Sequence, residues 1–541
     1  MLDSSAPAWW RSSVVYQLYV KSFADSTGDG TGDLDGVTAH LDHVASLGVD
    51  AVWLNPCYPS PDRDGGYDVA DYLTVDERYG GLPAFERLRD AAHARGLRLL
   101  MDLVPNHCSD QHVWFQQALA AGPGSRERER FLFADGRGAA GEEPPNNWRS
   151  TFGGPAWTRV HDGQWYLHSF DSSQPDFNWD DPEVRESFEY VLATWFERGI
   201  DGFRIDVAYA MVKAAGLPDL EDPDGENHYS WNQPGVHDIF KRWRAVADSY
   251  GRDLTLLGEV WLPPGDVADY IRPGELHQVF YFDLMQQPFE ADAFRTSVQE
   301  TLAGLDDVEG VPTWTLNSHD VHRAVTRYGL VEREPMTSPD ANALRTRARG
   351  RVDVALGSRR ARAALLFTLA LPGSVYLYQG EELGLPEVQD LPAGSRQDPI
   401  WERSAHTEHG RDGCRVPLPW RVDEPGLGFT TGTPWLPQPD WFADLAVDRQ
   451  DADPQSMLAF YRRALAARRE IDPAAGLSWL EAGRDDVLAF RRGDLVAVTV
   501  FGDRPFAVPA AWGVAVITTD DGDGTELTGA SAGWYTPASR A

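Results

Sequence analysis

The sequence predicts an α/β fold: a (β/α)8 barrel with a loop-rich inserted subdomain after the third strand and a small all-β domain at the C-terminal end. Eight short apolar runs alternate with longer amphipathic stretches of helical period. Two long excursions interrupt this repeat, and short alternating runs follow residue 472. Because strands buried on both faces and joined by helices form parallel sheets, eight such units are the number that closes a barrel.

Each apolar run is of a length typical for a buried strand. The strands are predicted over residues 14–20, 51–56, 98–104, 202–207, 255–261, 278–283, 312–316 and 374–378. Between them lie helical patterns such as 183–199, where Val184, Phe188 and Val191 recur on one face. Residues 264–272 form a weaker helical pattern, which is nevertheless needed for the eightfold count.

The two excursions and the tail define the domains. Residues 1–104 form the first part of the barrel, and 105–174, rich in Gly, Pro, Asn and Trp, form inserted subdomain B. Residues 175–472 complete the catalytic barrel, with a second excursion at 381–453 before the last helix, and 473–541 form a C-terminal β-sandwich. Both excursions leave the carboxyl ends of strands, where barrel active sites are built.

The charge balance narrows the class of partner. The chain has 541 residues, 49 Lys plus Arg and 83 Asp plus Glu, hence a net charge of −34. Such a surface repels phosphate backbones and anionic lipid, which disfavours nucleic acid and membrane partners. We therefore expect a neutral or cationic small-molecule substrate.

Cysteines and targeting signals indicate a cytoplasmic enzyme. Cys57, Cys108 and Cys414 are odd in number and lack a Cys-x-x-Cys pair, which disfavours a disulfide framework or a zinc cluster. The N-terminal residues show no secretory pattern, and the longest apolar run, 363–378, is interrupted by Pro372. A monomer and a homodimer are both compatible with the sequence.

Charged residues stand at the ends of several predicted strands. Asp102, Asp206, Glu259 and Asp320 all fall at the carboxyl rim of the barrel. Clustered carboxylates shift one another's pKa and can divide into an ionised nucleophile and a protonated acid. Arg204 points the same way as Asp206, two residues later in the strand, and would keep it ionised, which leaves Glu259 as the proton donor.

Two carboxylates on neighbouring strands suit glycoside hydrolysis. A separation of about 5 to 5.5 Å would indicate a covalent intermediate and retained anomeric configuration. A single strand-end aspartate is more often a helix N-cap or an ion-pair partner. Four acids and two histidines at one rim favour function, because buried unpaired charge is costly.

Four motifs resemble the signature regions of the α-amylase superfamily, glycoside hydrolase family 13, in order and spacing. These are Asp-Leu-Val-Pro-Asn-His at 102–107, Gly-Phe-Arg-Ile-Asp at 202–206, Gly-Glu-Val-Trp at 258–261 and Asn-Ser-His-Asp at 317–320. Segments 9–17, 174–180 and 411–420 are similar to the α-glucosidase and oligo-1,6-glucosidase branch of that superfamily. The resemblance covers essentially the whole chain.

The resemblance implies roles for the rim residues. Asp206 would be the nucleophile, Glu259 the general acid/base and Asp320 the carboxylate that binds and distorts the substrate. Three further residues, Arg204, His107 and His319, would hold the first sugar.

The resemblance also implies an exo-acting pocket. Asp68 and an arginine of the 411–420 motif, either Arg411 or Arg415, would grip the non-reducing 4-hydroxyl. The aromatic residues expected to wall this pocket are Tyr67, Phe152 and Phe170, although core packing is the alternative for each of them.

Departures from the family pattern leave open which glycosidic linkage the enzyme prefers. Segment 415–420 reads Arg-Val-Pro-Leu-Pro-Trp where the family usually has Arg-Thr-Pro-Met-x-Trp, and Ser318 is also atypical. Val207 is associated with α-1,6 preference in one branch. The following Ala208-Tyr209 and the insert at 144–148 resemble a different, actinobacterial-type branch in which that rule need not apply.

A loop of alternating oxygen-bearing residues follows the first strand. Asp25, Thr27, Asp29, the Thr31 carbonyl and Asp33 match the early positions of an EF-hand loop, although the bidentate Glu at position twelve is missing. The alternative is an Asx-rich turn before a helix. Because similar oligo-1,6-glucosidases hold Ca²⁺ or Mg²⁺ here, the resemblance favours one structural Ca²⁺ (or Mg²⁺). No organic cofactor is expected.

Three functions are weighed. The first is a retaining exo-acting α-glucosidase, which cleaves terminal α-linked glucose, α-1,4 and/or α-1,6, from short oligosaccharides. The second is a transglucosylase or a sucrose or maltose isomerase of the same superfamily, in which sugar takes the covalent glucosyl group. The third, a non-catalytic transporter heavy chain, is disfavoured because every carboxylate is present and no membrane helix is predicted.

Overall fold

The computed structural model describes residues 8–223, 225–305, 308, 310–333, 350–520 and 522–537. Eight parallel strands form one sheet, in which strands adjacent in this barrel order are paired except the sixth and seventh. The barrel strands, called first to eighth below, are Val14–Leu18, Ala51–Leu54, Arg98–Leu103, Gly202–Ile205, Thr255–Gly258, Gln278–Val279, Thr313–Thr315 and Ser374–Tyr378. All eight predicted strands are confirmed, most of them one to four residues shorter at the ends.

The sheet closes almost completely. The eighth strand pairs with the first, Val14 beside Val375, and the seventh pairs with the eighth. Only the sixth and seventh strands lack a ladder; there the backbone N–H of Tyr281 donates to the carbonyl of Thr313 at 3.1 Å. The predicted (β/α)8 barrel is therefore confirmed.

Helices follow the strands and cover the barrel. They are Leu34–Ala39, Leu41–Leu47, Gly81–Ala94, Pro182–Glu197, Val236–Ser249, Pro264–Val267, Asp283–Gln286, Ala291–Ala303, Ala324–Gly329, Val354–Ala370, Pro399–Arg403, Val447–Asp451 and Met457–Arg468. The weak helical pattern at 264–272 is a short α-helix continued by a 3-10 turn, Ala268–Ile271. Two short strands, Leu330–Arg333 and Gly350–Val352, pair antiparallel after the seventh strand.

Two cores result from this layering. One fills the barrel interior and includes Val15, Trp53, Leu100, Phe280 and Tyr376. The other lies between the strands and the helices. On the helix Pro182–Glu197, the predicted apolar face is fully buried, which shows that the helical period was correctly read.

The insertion after the third strand is a small subdomain with its own sheet. It contains the helices Val113–Ala121 and Arg126–Glu129 and the antiparallel strands Phe133–Asp135, Trp157–Arg159 and Gln164–Leu167. These elements are short, which agrees with the Gly- and Pro-rich composition of the segment.

The C-terminal part is all β, as predicted. Its sheets comprise Leu477–Leu480, Val487–Arg492, Leu495–Val500, Phe506–Ala507, Val514–Thr518, Glu526–Leu527 and Ser531–Thr536. It packs on the helix Val354–Ala370, where the Trp534 indole N–H donates to the carbonyl of Leu366 at 3.0 Å. Within the described ranges, every helix is too short or too polar to cross a bilayer.

Candidate active site

Backbone hydrogen bonds place the two central carboxylates side by side. The sheet ladder continues one residue beyond the fourth and fifth strands: Asp206 N–H donates to the Leu103 carbonyl at 2.8 Å, and Glu259 N–H donates to the Ile205 carbonyl at 2.9 Å. Asp206 and Glu259 therefore leave neighbouring strands at the same height of the barrel rim. This is the carboxyl face, on which barrel enzymes build their sites.

One guanidinium connects three carboxylates. Arg204 Nη1 contacts Asp102 Oδ1 at 2.9 Å and Asp206 Oδ1 at 2.7 Å, and its Nη2 contacts Glu259 Oε2 at 2.8 Å. All four side chains are almost completely buried. Because Asp102 pairs with Arg204 in the sheet register, the third strand supplies the outer carboxylate of this group.

Burial and charge act in opposite directions on these acids. Burial raises the pKa of Asp206, Arg204 lowers it, and the charges of Glu259 and Asp102 raise it again. Burial also raises the pKa of Asp102, to about 6. One guanidinium only partly offsets the charge of three buried carboxylates, which favours retention of a proton within the group.

The turn after the nucleophile candidate fixes Glu259. Val207 has φ +35°, the left-handed region that β-branched residues rarely adopt. In this conformation its N–H donates to Glu259 Oε2 at 2.9 Å, while the Trp261 indole N–H donates to Oε1 at 2.7 Å. The backbone strain at Val207 therefore coincides with the positioning of a functional carboxylate.

His319 lies against Tyr67 in a hydrogen-bonded stack. The rings are 5.3 Å apart and nearly parallel, and His319 Nε2 lies 2.7 Å from the Tyr67 hydroxyl. That hydroxyl donates to Asp102 at 2.8 Å, and Gln17 Nε2 donates to His319 Nδ1 at 2.7 Å. Burial lowers the pKa of His319, so the imidazole is neutral and its Nε2 carries the proton.

Asp320 is held by two arginines. Arg411 Nη1 and Arg415 Nη2 both contact Asp320 Oδ1, at 3.1 and 3.0 Å, and His319 Nε2 lies 3.2 Å from Oδ2. Burial would raise the pKa of Asp320, but the charges of Arg411 and Arg415 lower it below its usual range. Asp320 is therefore ionised across the neutral pH range.

The two candidate arginines have different partners. Arg411 also binds Asp64 Oδ1 at 2.6 Å and Asp398 Oδ2 at 2.7 Å. Arg415 Nε instead donates to the His319 carbonyl at 2.8 Å. The acid of the 64–68 segment that pairs with an arginine of the 411–420 motif is thus Asp64, and that arginine is Arg411.

Asp68 does not contact either arginine, contrary to the expected pairing. Its carboxylate accepts hydrogen bonds from the Ser60 hydroxyl and from the backbone N–H groups of Arg63 and Asp64, and it has no exposed surface. Those contacts stabilise the loop that presents Asp64. The sequence segment Asp-Gly-Gly-Tyr-Asp at 64–68 contains both acids, and nothing in its spacing distinguishes them.

The aromatic candidates form one wall. Phe152 and Phe170 lie 5.7 Å apart, Arg411 lies over the Phe152 ring at 5.2 Å, and His107 lies 4.9 Å from the Phe170 ring. The wall also includes Val207 and Tyr209, which the sequence analysis considered for linkage and branch, and three residues that sequence reasoning did not single out: Ala210, Trp231 and Ile400. It therefore brings Phe152 and Phe170 of the inserted subdomain against the loops that follow the fourth and eighth barrel strands.

His107 stands beside this wall and is neutral, because burial lowers its pKa to about 4. Gln174 is another residue that sequence reasoning missed. Its Nε2 lies 3.2 Å from His107 Nε2 and 3.0 Å from Asp64 Oδ2. No sequence signal marked Gln174 beyond its place in the 174–180 motif.

A small pocket opens among these groups. Its lining comprises Gln17, Trp53, Arg204, Glu259, Phe280, Phe282, Thr315, Asn317, Ser318, His319 and Asp320. The combination of ionisable residues and aromatic rings is typical of a site for a small polar molecule.

The loop at 25–33 is held by its own backbone. Asp25 accepts hydrogen bonds from the N–H groups of Thr27, Gly28 and Gly30 and from the Thr430 hydroxyl. Asp33 caps the following helix by accepting from Gly36 N–H. These contacts agree with the Asx-turn alternative.

The fit to a cation is only partial. Among the described residues, no three His, Cys, Asp or Glu side chains converge as a metal site would require. Asp29 and the Thr31 carbonyl would have to complete the ligand set. The structural cation stays a prediction.

Comparisons with known proteins agree with this geometry. Residues 17–474 match the family model of the α-amylase catalytic domain. A "Probable alpha-glucosidase" of Rhizobium meliloti is 36% identical, with 90% of this chain and 87% of that protein aligned. An oligo-1,6-glucosidase of Parageobacillus thermoglucosidasius is 33% identical over 86% of this chain and 84% of that protein.

The solved structures include that of the trehalulose synthase MutB of Pseudomonas mesoacidophila. Its TM-score is 0.85 at 30% sequence identity, with 98% of this chain and 100% of that chain covered. The fold, the rim carboxylates and the sequence matches lead to one assignment. The chain is a glycoside hydrolase of the α-amylase superfamily, family 13, and belongs to its α-glucosidase and oligo-1,6-glucosidase branch.

Proposed function

We propose that the protein is a retaining, exo-acting α-glucosidase that releases terminal α-linked glucose from short oligosaccharides through a covalent glucosyl-aspartate. The observation that carries this proposal is the Arg204 guanidinium, which bridges Asp206 and Glu259 at 2.7 and 2.8 Å. Two carboxylates held so close together favour the double-displacement reaction over inversion, which needs a water between them.

In the first step, Asp206 attacks the anomeric carbon while Glu259 delivers a proton to the glycosidic oxygen. Arg204 stabilises the charge of Asp206 before attack, and the Val207 N–H and the Trp261 indole orient Glu259. In the second step, Glu259 takes a proton from water, which attacks the same carbon and releases glucose with its α configuration retained.

The exo preference is supported by the far end of the pocket. Asp64, Arg411 and Asp398 form a buried ion-paired group there, and Arg411 also reaches Asp320. Paired charges of this kind suit the hydroxyl groups of a terminal glucose and leave little room for a further sugar. Asp320, ionised between two arginines, would hold the ring as the oxocarbenium-like state forms.

The proposal is tested with Asp206→Asn. We expect turnover of p-nitrophenyl α-glucoside to fall at least about 10³-fold, because the variant lacks the nucleophile. The exposed aspartate Asp180, changed to Asn, is the matched control and should leave the rate unchanged. Substantial residual activity of Asp206→Asn with intact circular dichroism would contradict the assignment.

A second candidate is transfer of the glucosyl group to a sugar instead of to water. The structural similarity to a trehalulose synthase, which was crystallised with its substrate sucrose, favours this possibility. The covalent intermediate is common to both reactions. Product analysis at high substrate concentration distinguishes them: hydrolysis yields only free sugars, whereas transfer yields longer or isomerised saccharides.

The linkage preference is the least constrained part of the proposal. Val207 packs into the aromatic wall with Phe152 and Phe170, so it is placed to affect how the leaving sugar lies. Comparison of kcat/KM on maltose, isomaltose, sucrose and kojibiose would define the preferred linkage.

A further inference from the structure

A tryptophan next to the acid candidate contacts its carboxylate directly. Trp261 lies two residues after Glu259, and its ring packs against the core of the barrel interior, whereas Val260 packs in the outer core. The Trp261 indole N–H donates to Glu259 Oε1 at 2.7 Å. The ring is stacked on Phe282 with centroids 3.9 Å apart, and it remains partly exposed.

The two oxygens of Glu259 have different partners. Oε2 is paired with the Arg204 guanidinium at 2.8 Å and also accepts from Val207 N–H at 2.9 Å. Oε1 instead accepts from the uncharged indole of Trp261. Because a guanidinium is always charged and has only donors, a proton on Oε2 would oppose both of its partners. The proton that Glu259 gives to the glycosidic oxygen therefore resides on Oε1.

The indole contact is sensitive to this proton. A carboxylate oxygen is a strong acceptor, whereas the hydroxyl oxygen of a carboxylic acid accepts more weakly and uses its own hydrogen as a donor. The indole N–H can only donate. It therefore binds the ionised form of Glu259 more strongly than the protonated form, and it competes with the proton for Oε1.

Other charges also act on Glu259, from the third, fourth and seventh strands and the turns after them. The charged and titratable side chains that face it are Arg204, Asp102, Asp206, His319 and Asp320. On the side of the sixth strand, the pocket is lined by the apolar rings of Phe280 and Phe282. A substitution of Trp261 retains all of these side chains, so a difference from the wild type reports the loss of the indole.

We propose that Trp261 is a positioning residue that stabilises the ionised form of Glu259 through its indole N–H and yields Oε1 to the proton when Glu259 acts as the acid. The contact favours the second step, in which Glu259 must be a base, and opposes the first. The inference deepens the proposed function and rests on it as far as catalysis is concerned, but the response of the indole to Glu259 can be measured without substrate.

Two variants and a control test the contact. Trp261→Phe keeps an aromatic ring at this position but removes the N–H. Glu259→Gln is an uncharged mimic of the acid: its amide oxygen faces the two donors at Oε2, so its NH₂ group faces the indole. Trp165→Phe is the matched control, because it removes an indole hydrogen bond within the inserted subdomain.

The substrate-free readout is the indole signal of Trp261 in the full-length enzyme. Tryptophan is labelled with ¹⁵N, ¹H–¹⁵N correlation spectra are recorded between pH 5 and pH 9, and the Trp261 signal is assigned by its loss in Trp261→Phe. We expect this signal to reach lower field as the pH rises in the wild type and in Trp165→Phe, and to remain at higher field in Glu259→Gln. The same field in the wild type and in Glu259→Gln at every pH would overturn the proposal.

The pH profile of kcat/KM tests the consequence for catalysis. Its alkaline limb reports loss of the proton of the general acid in the free enzyme. Without the indole N–H, ionised Glu259 is less stable, so the alkaline limb of Trp261→Phe should move about one pH unit upwards. The limb of Trp165→Phe should stay at the wild-type position.

The substrate for these profiles is the better one of maltose and isomaltose, because their leaving sugar needs a proton. An alkaline limb of Trp261→Phe that is unmoved or moved to lower pH, with intact circular dichroism, would overturn the proposal. A wild-type enzyme inactive on all α-glucosides would refute the proposed function and leave the indole result valid.

Discussion

At the scale of single residues, the site depends on how a few charges are shared. Arg204 binds three carboxylates, whereas Asp320 is bound by two arginines. The first arrangement has one positive charge for three carboxylates, whereas in the second both arginines contact the same carboxylate and lower its pKa. In the proposed reaction, this asymmetry separates proton transfer at Glu259 from electrostatic stabilisation at Asp320.

Asp64 and Asp68 provide a residue-level test of the pocket. Asp64→Asn removes the charge that orients Arg411, so we expect kcat/KM on p-nitrophenyl α-glucoside to fall about 100-fold. Asp68 lies behind the loop, so Asp68→Asn should change the melting temperature but alter kcat/KM by less than about 3-fold. The opposite ranking of the two variants would show that Asp68 is the sugar-binding acid.

His107 should make stability sensitive to acid. Its folded pKa of about 4 lies below the usual 6.5, so protonation favours the unfolded state. The stability that neutral His107 contributes is complete above about pH 6.5 and is lost as the pH falls towards 4.

The predicted loss is about 2 kcal/mol at pH 5, which is an order-of-magnitude figure. Urea unfolding of wild type and His107→Gln at pH 7.5 and pH 5 measures it, because the difference between the two proteins cancels the other titrating groups. An equal loss of stability in both proteins would contradict the assignment of a neutral, buried His107.

Sequence reasoning found most of these residues for a clear reason. Asp206, Glu259 and Asp320 stand at strand ends, where a short apolar run stops at a charge. Asp64 and Gln174 lie in loops, where no periodicity indicates which side chain turns inward. Their partners, Arg411 and His107, are 347 and 67 positions away in sequence.

At the scale of elements, the loops after the strands supply the site residues, and the strands align these residues with one another. The fourth and fifth strands end early, after Ile205 and Gly258, so that Asp206 and Glu259 stand just beyond the regular ladder. The sequence predicted longer strands because the apolar residues continue. The strained turn at Val207 explains why the fourth strand stops there.

The loop at 25–33 gives an element-level prediction. We propose that it binds a structural Ca²⁺ through Asp25, Thr27, Asp29, Thr31 and Asp33. Because the loop follows the first barrel strand and carries none of the proposed reacting carboxylates, chelation should lower the melting temperature without directly removing activity.

Calorimetry with added EDTA, followed by calcium titration, is the measurement. An Asp29→Asn variant, which changes an exposed carboxylate of the loop, should no longer respond to calcium. A melting temperature independent of calcium in the wild type would favour the Asx-turn structure, in which Asp25 and Asp33 are satisfied by backbone N–H groups.

At the scale of the whole molecule, two buried arginines, one on the last barrel helix and one in the C-terminal β domain, hold the chain segment after the helix Val354–Ala370. Arg492 donates to the Leu371 carbonyl at 2.8 Å, and Arg468 donates to the Gly373 carbonyl at 2.6 Å. Burial lowers the pKa of Arg468 to about 9 and that of Arg492 to about 10. Both arginines contact carbonyls just beyond the helix Val354–Ala370, the end at which cations are favourable.

The fold class followed from periodicity, but the assembly of the site did not. Eight alternating units predict a barrel, because parallel strands need helical connections. The net charge of −34 disfavoured some partners but did not identify a substrate. Identification of the sugar chemistry required the rim carboxylates and their shared guanidinium.

The most direct test of the central claim is to trap the covalent intermediate. The enzyme is incubated with 5-fluoro-α-glucosyl fluoride, whose electronegative substituent slows the second step more than the first, and is then digested for peptide mass spectrometry. The account predicts one 5-fluoroglucosyl group on the peptide that contains Asp206, and none in Asp206→Asn. A label on another residue of the active enzyme would contradict the account. Release of β-glucose as the first product from a natural substrate would also contradict it.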